Sequence, residues 1–276
     1  MKDMTRQTFL RLAGLALLLT VVISVIMLIP DWNGLQGSVE AGPIDQLLNV
    51  TIVLSSFVFS VVMVMMGYAI RKYRVKPGDE GDGEPIHGNT KLEIVWTLIP
   101  TLIVLFLGVY SWVVLDDIEA RADGPTMRVD AYTQQFAWRF DYPDAGKSST
   151  ELHVPSGTQL ELHLTALDVL HSFWVPEWRV KRDMVPGADI DGDPDIDNIL
   201  RVTPDVEGTY SVICAELCGI GHSIMRAVAK VESQAEFDAW VATQPDTPEG
   251  KVSTGVGGGQ GAGSLVEGAG SIAEDK

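Results

Sequence analysis

Three uninterrupted apolar stretches constrain this chain more than anything else in it. They are "FLRLAGLALLLTVVISVIMLI" (Phe9 to Ile29), "LLNVTIVLSSFVFSVVMVMMGYAI" (Leu47 to Ile70) and "IVWTLIPTLIVLFLGVYSWVVL" (Ile94 to Leu115). Each meets or approaches the roughly 20 residues that a helix needs to cross a hydrocarbon core. The second and third carry no charge at all. Pro100 falls in the first two turns of the third stretch, where a missing N–H costs least.

The flanking bases orient the hairpin. "RKYRVK" (Arg71 to Lys76) follows the second stretch directly, and Lys91 precedes the third. Clustered bases beside a span stay cytoplasmic. The second span therefore starts outside, the hairpin turns inside, and everything after Leu115 lies outside, in the periplasm or on the exterior of a bacterial or archaeal cell membrane. Lys2, Arg6 and Arg11 give the first stretch the same inside-to-outside direction. It reads either as an uncleaved span or as a signal peptide cut near Val39-Glu40-Ala41. Its length exceeds the roughly 7–15 residues of a signal h-region, which favours retention. The expected segments are 1–41 for this N-terminal piece, 42–120 for the hairpin, 121–244 for an outer domain and 245–276 for a tail.

Composition agrees with that division. The 276 residues are 46% hydrophobic yet carry a net charge of −17. From Asp116 onward there are 28 of the 37 acids but only 12 of the 20 bases. The outer part is thus strongly acidic, which argues against nucleic acid or anionic lipid as its partner and for solubility or a basic partner.

After Leu115 the texture changes. "MRVDAYTQ", "FAWRFDY", "TELHV", "QLELHLTA", "ILRVT", "GTYSVIC" and "RAVAKVE" are short runs rich in β-branched and aromatic residues, separated by Gly, Pro, Asp and Ser. They predict an all-β sandwich or barrel. "SQAEFDAWVATQ" begins like a capped helix and closes the domain. From about Pro245 the chain is rich in Gly, Ser and acids with no apolar periodicity, a composition that predicts disorder.

The chemistry concentrates in "CAELCGIGHSIM" (Cys214 to Met225), which holds both cysteines of the chain. A disulfide between Cys214 and Cys218 would close too small a loop to gain much entropy. Thiolate, imidazole and thioether together select copper, with zinc or iron–sulfur as competitors. A mononuclear blue-copper site needs one Cys, two His and a weak Met. With His171 from "DVLHSFWVP" this chain has that set plus a second cysteine. Two thiolates can bridge two copper ions, each capped by one histidine, with a methionine and a backbone carbonyl filling the remaining positions. Alone, His171 reads as a hydrogen-bonded loop residue, and Cys-x3-Cys alone as zinc. Joined as H…C-x-E-x-C-G-x-x-H-x-x-M, they are far more specific.

That pattern, behind a two-helix membrane hairpin and an aromatic segment, resembles subunit II of the haem–copper cytochrome c oxidases, over roughly Gln46 to Val231. The resemblance implies transmembrane helices followed by a cupredoxin-like sandwich holding a binuclear copper centre. It implies side-chain copper ligation by His171, Cys214, Cys218, His222 and Met225, and main-chain ligation by the Glu216 carbonyl. The Glu216 carboxylate would reach a magnesium ion shared with subunit I, and His222 would face the electron exit toward haem a. "LEIVWTLIP" resembles the family's second hairpin helix, so Glu93 stands where a carboxylate marks a proton path into subunit I; read by itself it is a helix-start carboxylate. "QQFAWRFDYP" resembles the segment where a c-type cytochrome docks. The family's common tryptophan is replaced there by Phe136, while Trp138 matches a later one and reads equally well as packing. The expected function is electron input to a respiratory oxidase: electrons from a c-type cytochrome pass to subunit I, where oxygen is reduced and protons are pumped.

Other readings are a quinol oxidase subunit, which lacks the copper ligands; the copper domain of a nitrous oxide reductase, which does not require this hairpin; and a membrane-anchored copper carrier, which favours more exchangeable sites. "DIDGDPDID" (Asp189 to Asp197) starts like a calcium loop but lacks the glutamate at the required spacing. It reads as a solvated acidic loop able to steer a basic donor. His87, His153 and His163 read as structural or surface residues.

Overall fold

The computed structural model describes residues 5–30, 32–75, 77–78, 88–187 and 198–248. The acidic stretch Asp189–Asp197, His87 and the tail beyond residue 248 lie outside the described residues. The chain divides into two compact units, Met1–Trp32 with Asp45–Leu115, and Asn33–Ile44 with Asp116–Lys276.

The first unit is built from three helices, α1 (Arg6–Leu28), α2 (Ala41–Lys72) and α3 (Thr90–Glu119). At about 1.5 Å per residue, the 23 residues of α1 extend slightly past a hydrocarbon core of about 30 Å. The 32 residues of α2 and 30 of α3 extend well past it. All three are long and apolar enough to cross a membrane. Leu18, Val104 and Trp112 stand exposed along them, an arrangement that water penalises and lipid does not. Three threonine hydroxyls inside the helices are satisfied locally, whereas the buried Ser24 and Ser60 hydroxyls have no partner among the described residues. Thr20, Thr51 and Thr101 each donate to the carbonyl four residues back, at 2.8, 2.9 and 2.7 Å. α3 begins before its apolar run, so Pro100 lies in the helix interior rather than its first turns. Ser and Thr side chains and local helix adjustments make such a proline tolerable in a membrane.

The outer unit is a sandwich of two five-stranded sheets. One sheet orders its strands β3 (Lys147–Ser149), β2 (Ala137–Tyr142), β1 (Thr126–Gln134), β5 (Gln159–Ala166) and β8 (Ile199–Val202). The other orders β4 (Leu152–Pro155), β10 (Arg226–Glu232), β9 (Gly208–Cys214), β6 (His171–Trp174) and β7 (Lys181–Met184). β1 pairs with β5 in parallel, and so does β10 with β4; the other pairings are antiparallel. Val129, Phe140 and Leu162 from the first sheet and Val154, Phe173 and Val212 from the second form one buried core. This is a sandwich of the kind that the alternating runs predict, in the cupredoxin-like form that the resemblance implies.

Two additions close the sandwich. α4 (Gln234–Val241) starts at a capping box in which Ser233 accepts the Glu236 N–H and Glu236 accepts the Ser233 N–H. It lays Phe237 and Trp240 against Tyr142, with ring centroids 5.9 and 5.6 Å apart. The second addition is the strap Asn33–Ile44, which links α1 to α2 yet packs with the outer unit. The Gly37 N–H donates to the Glu177 carbonyl and the Val39 N–H to the Thr203 carbonyl. The buried Glu40 carboxylate accepts the Thr203 N–H through both oxygens, at 3.0 and 2.9 Å.

Candidate metal centre

β9 ends at Cys214 and β10 begins at Arg226, so the eleven-residue loop between them leaves one central strand and returns to its neighbour. Phe173 of β6 stands opposite Cys214 in register. That pairing carries His171, two residues earlier, to the same end of the sheet. The sequence suggests a loop histidine; the structure makes His171 the first residue of β6, fully buried.

The soft atoms converge. Cys214 Sγ lies 3.8 Å from Cys218 Sγ and 3.7 Å from His171 Nδ1. Cys218 Sγ lies 3.7 Å from His222 Nδ1 and 3.8 Å from Met225 Sδ. The Glu216 carbonyl oxygen is 3.3 Å from Cys214 Sγ. A disulfide holds its sulfurs at about 2.05 Å, so this pair is unbridged, and both cysteines are free. A metal–thiolate bond is roughly 2.3 Å. Sulfurs 3.8 Å apart therefore leave room for a metal within bonding distance of both. His171, Cys214 and Cys218 offer ligand atoms within 4.8 Å of one another, all buried. The two histidines differ in access: His171 is buried and His222 half-buried.

Groups outside this cluster fix its geometry. Asp168 accepts from His171 Nε2 at 2.9 Å and also takes the Gln135 and Val169 backbone N–H groups, both at 2.7 Å. With its proton on Nε2, His171 presents the Nδ1 lone pair to Cys214 Sγ. Burial would raise the Asp168 carboxyl, but the Gln135 N–H, His171 and the Val169 N–H together hold it below the usual carboxylate range. Gln135 also donates through Nε2 to the Cys218 carbonyl. Burial first, then the neighbouring Cys214 thiol, push the Cys218 thiol up to about 11. Sequence reasoning missed Asp168 and Gln135. The only trace of the former is an acid three residues before a histidine.

The aromatic candidates separate. Phe136 is 36% exposed, and its ring lies against Gly219 and Gly221 of the loop after β9. A Cβ on Gly221 would stand 2.5 Å from its ring, and one on Gly219 3.2 Å. Glycine at both positions lets the ring sit flat on the loop. Trp138 is buried, stacked on Phe140 with centroids 6.2 Å apart and edge-on to Phe173 at 6.2 Å. Phe173 in turn backs Cys214. Around the loop, Leu217, Ile220 and Ile224 are 81%, 101% and 78% exposed. An apolar rim of that kind marks an interaction surface.

Glu93 lies in the other unit, at the start of α3. Its Oε1 accepts the Asn89 N–H at 3.0 Å, while Asn89 Oδ1 accepts the Leu92 N–H at 3.1 Å. It is exposed and caps the helix. His153 and His163 are buried away from the cluster's ligand atoms, and His153 bonds Glu232 at 2.8 Å.

Comparison with known proteins agrees with this geometry. Residues 35–114 match the transmembrane domain of cytochrome c oxidase subunit II, and residues 147–232 match its periplasmic domain. Cytochrome c oxidase subunit 2 of Thermostichus vulcanus is 32% identical, over 81% of this chain and 86% of that protein. The chain belongs to the cytochrome c oxidase subunit II family. The subunit 2 of a Synechocystis strain is 31% identical over 85% of this chain and 83% of its own length. Among solved structures, the periplasmic domain of subunit II of cytochrome oxidase from Bradyrhizobium japonicum is 27% identical. It covers 45% of this chain and 95% of that one, with a TM-score of 0.39. For a member of the cytochrome c oxidase subunit II family, the soft cluster is the region that merits a chemical assignment.

Proposed function

We propose that this chain is the electron-input subunit of a bacterial or archaeal respiratory oxidase. It takes single electrons from a c-type cytochrome on the outer side of the membrane and passes them to haem a in subunit I. Family membership supports the oxidase role. The observation that carries the finer reading is the convergence of two unbridged sulfurs, two Nδ1 atoms and a thioether in one buried cluster. His171, Cys214, Cys218, His222, Met225 and the Glu216 carbonyl would hold two copper ions, whose bound form supplies a one-electron redox couple. The Glu216 carboxylate would share a magnesium ion with subunit I.

The protein's own part is rigidity and access. Cys214 and Met225 sit at the ends of paired strands, and Asp168 locks the His171 ring. A donor set fixed in advance moves little when charge changes, which lowers the reorganisation accompanying electron transfer. Phe136 provides a surface ring over the loop, with Trp138 behind it in the core. The apolar rim of Leu217, Ile220 and Ile224 supports a docked subunit I or donor. In the membrane unit, Glu93 would mark the entrance of a proton path. Its capping bond keeps the carboxylate at the helix start.

The test is Cys218→Ser in the assembled oxidase, mixed rapidly with a reduced c-type cytochrome while haem a is followed optically. The reading predicts that haem a reduction by the cytochrome is lost while a small diffusible reductant still reduces it. Unchanged electron delivery from the cytochrome would refute it.

A further inference from the structure

Between α1 and α2 there is an open groove of about 370 Å³, within the roughly 300–1,000 Å³ of small-molecule sites. Leu12, Leu15 and Leu19 line it from α1, and Met63 and Gly67 from α2. Its wall is almost wholly apolar until it reaches Tyr68 and Arg71, one helical turn beyond. Arg71 also lines a second concavity of about 540 Å³, together with Arg74. Lys72 adds a third charge here, its ammonium 5.5 Å from the Tyr68 ring centroid. α1 contains no acid, and α2 contains none after Asp45. A long apolar slot thus leads into a basic mouth.

The tendency of bases to remain on the cytoplasmic side explains why they cluster at this end. It does not explain why a slot opens beside them. Gly67 lines it: a Cβ there would meet nothing within 4 Å, so a larger side chain at that position would project into the slot. The chemistry of the slot and its mouth fits one amphiphile, with an acyl chain along the leucines and a phosphate at Arg71 and Arg74. Basic pockets between membrane helices on the cytoplasmic side bind anionic headgroups in this way. Among the described lining residues there is no carboxylate, so an anionic headgroup supplies a charge that a neutral isoprenoid does not.

We infer that the α1–α2 groove is a binding site for one anionic glycerophospholipid, its headgroup held by Arg71 and Arg74. The lipid fastens the N-terminal helix to the hairpin at their cytoplasmic ends.

The assembled oxidase, stripped of lipid in detergent, is titrated with dioleoylphosphatidylglycerol or dioleoylphosphatidylcholine and read by native mass spectrometry. One phosphatidylglycerol adduct per chain is expected at concentrations where phosphatidylcholine gives none. Arg71→Gln with Arg74→Gln should weaken that adduct roughly thirtyfold, following about 1 kcal/mol per basic residue near the membrane surface. Gly67→Leu, which fills the slot, should remove it. Equal binding of the two lipids overturns the inference, as does an adduct that survives the double arginine change. It is also overturned if the groove retains a neutral quinone, or if Gly67→Leu releases a neighbouring subunit while the lipid count stays the same. The double arginine variant lies at the helix end and decides the matter even if Gly67→Leu fails to assemble.

Discussion

Asp168 has no bond to either sulfur of the cluster, yet it decides which nitrogen of His171 is available. Its carboxylate accepts a hydrogen bond from Nε2–H and is itself held by two backbone N–H groups. Removing such a support commonly costs 10–100-fold in metal affinity. Asp168→Ala should therefore lower copper affinity by about that factor in a chelator competition; an unchanged affinity would mean that β6 alone positions the ring. The cysteine side gives a second expectation. In the metal-free protein the Cys218 thiol is raised to about 11, so at neutral pH it must release a proton to bind metal. Apparent copper affinity should accordingly increase with pH, by up to about tenfold per unit from Cys218 alone, all the way up to that value. The same competition at pH 6 and pH 8 checks the sign, and a flat profile would contradict it. The sequence makes the cluster legible because Cys214, Cys218, His222 and Met225 fall within one short loop. Asp168 and Gln135 are illegible there because only the sandwich brings their loops to the same place.

At the scale of elements, legibility follows burial pattern. β1 and β9 show enough alternation or β-branching to stand out. β6 does not, because its four residues are buried almost throughout and carry no period. β7 begins "KR" with half its length exposed, and β3 has three residues. The hidden β6 is the strand that delivers His171. α4 is legible from its cap, and the cap is testable. Ser233→Ala should destabilise the outer unit by about 1 kcal/mol in urea unfolding. Glu236 is held below its usual range by the Ser233 hydroxyl and N–H. Its capping contribution is therefore present above the ordinary glutamate value and is lost as pH falls through the lowered one. Trp240 stacks on His153 with centroids 3.7 Å apart, so its fluorescence reports α4 docking. Undocking on acidification should begin at higher pH in Ser233→Ala than in the unaltered chain. Identical acid profiles would show that the capping box is not what holds α4.

For the whole molecule, the sequence separates an apolar membrane part from an acidic outer part, and the structure keeps that division with one exchange. The strap Asn33–Ile44, whose last four residues are the first turn of α2, joins two membrane helices in sequence but packs with the sandwich. A Cβ on Gly37 would stand 3.2 Å from Trp178 and 3.3 Å from Tyr210, so nothing larger than glycine fits without movement. Gly37→Val should cost about 1–3 kcal/mol, the usual penalty of overpacking, and should do so in the unfolding of the outer unit, whose strands begin some ninety residues later. Loss confined to the membrane helices would contradict the strap's assignment. The same contacts bury Glu40 and Ala41, so the residues considered for signal cleavage are part of the folded outer unit. The central claim, however, concerns metal. The purified full-length chain, loaded with copper, should contain two copper ions and show an EPR spectrum of one unpaired electron shared between two nuclei. One copper per chain with a mononuclear spectrum, or zinc that copper does not displace, would contradict the account.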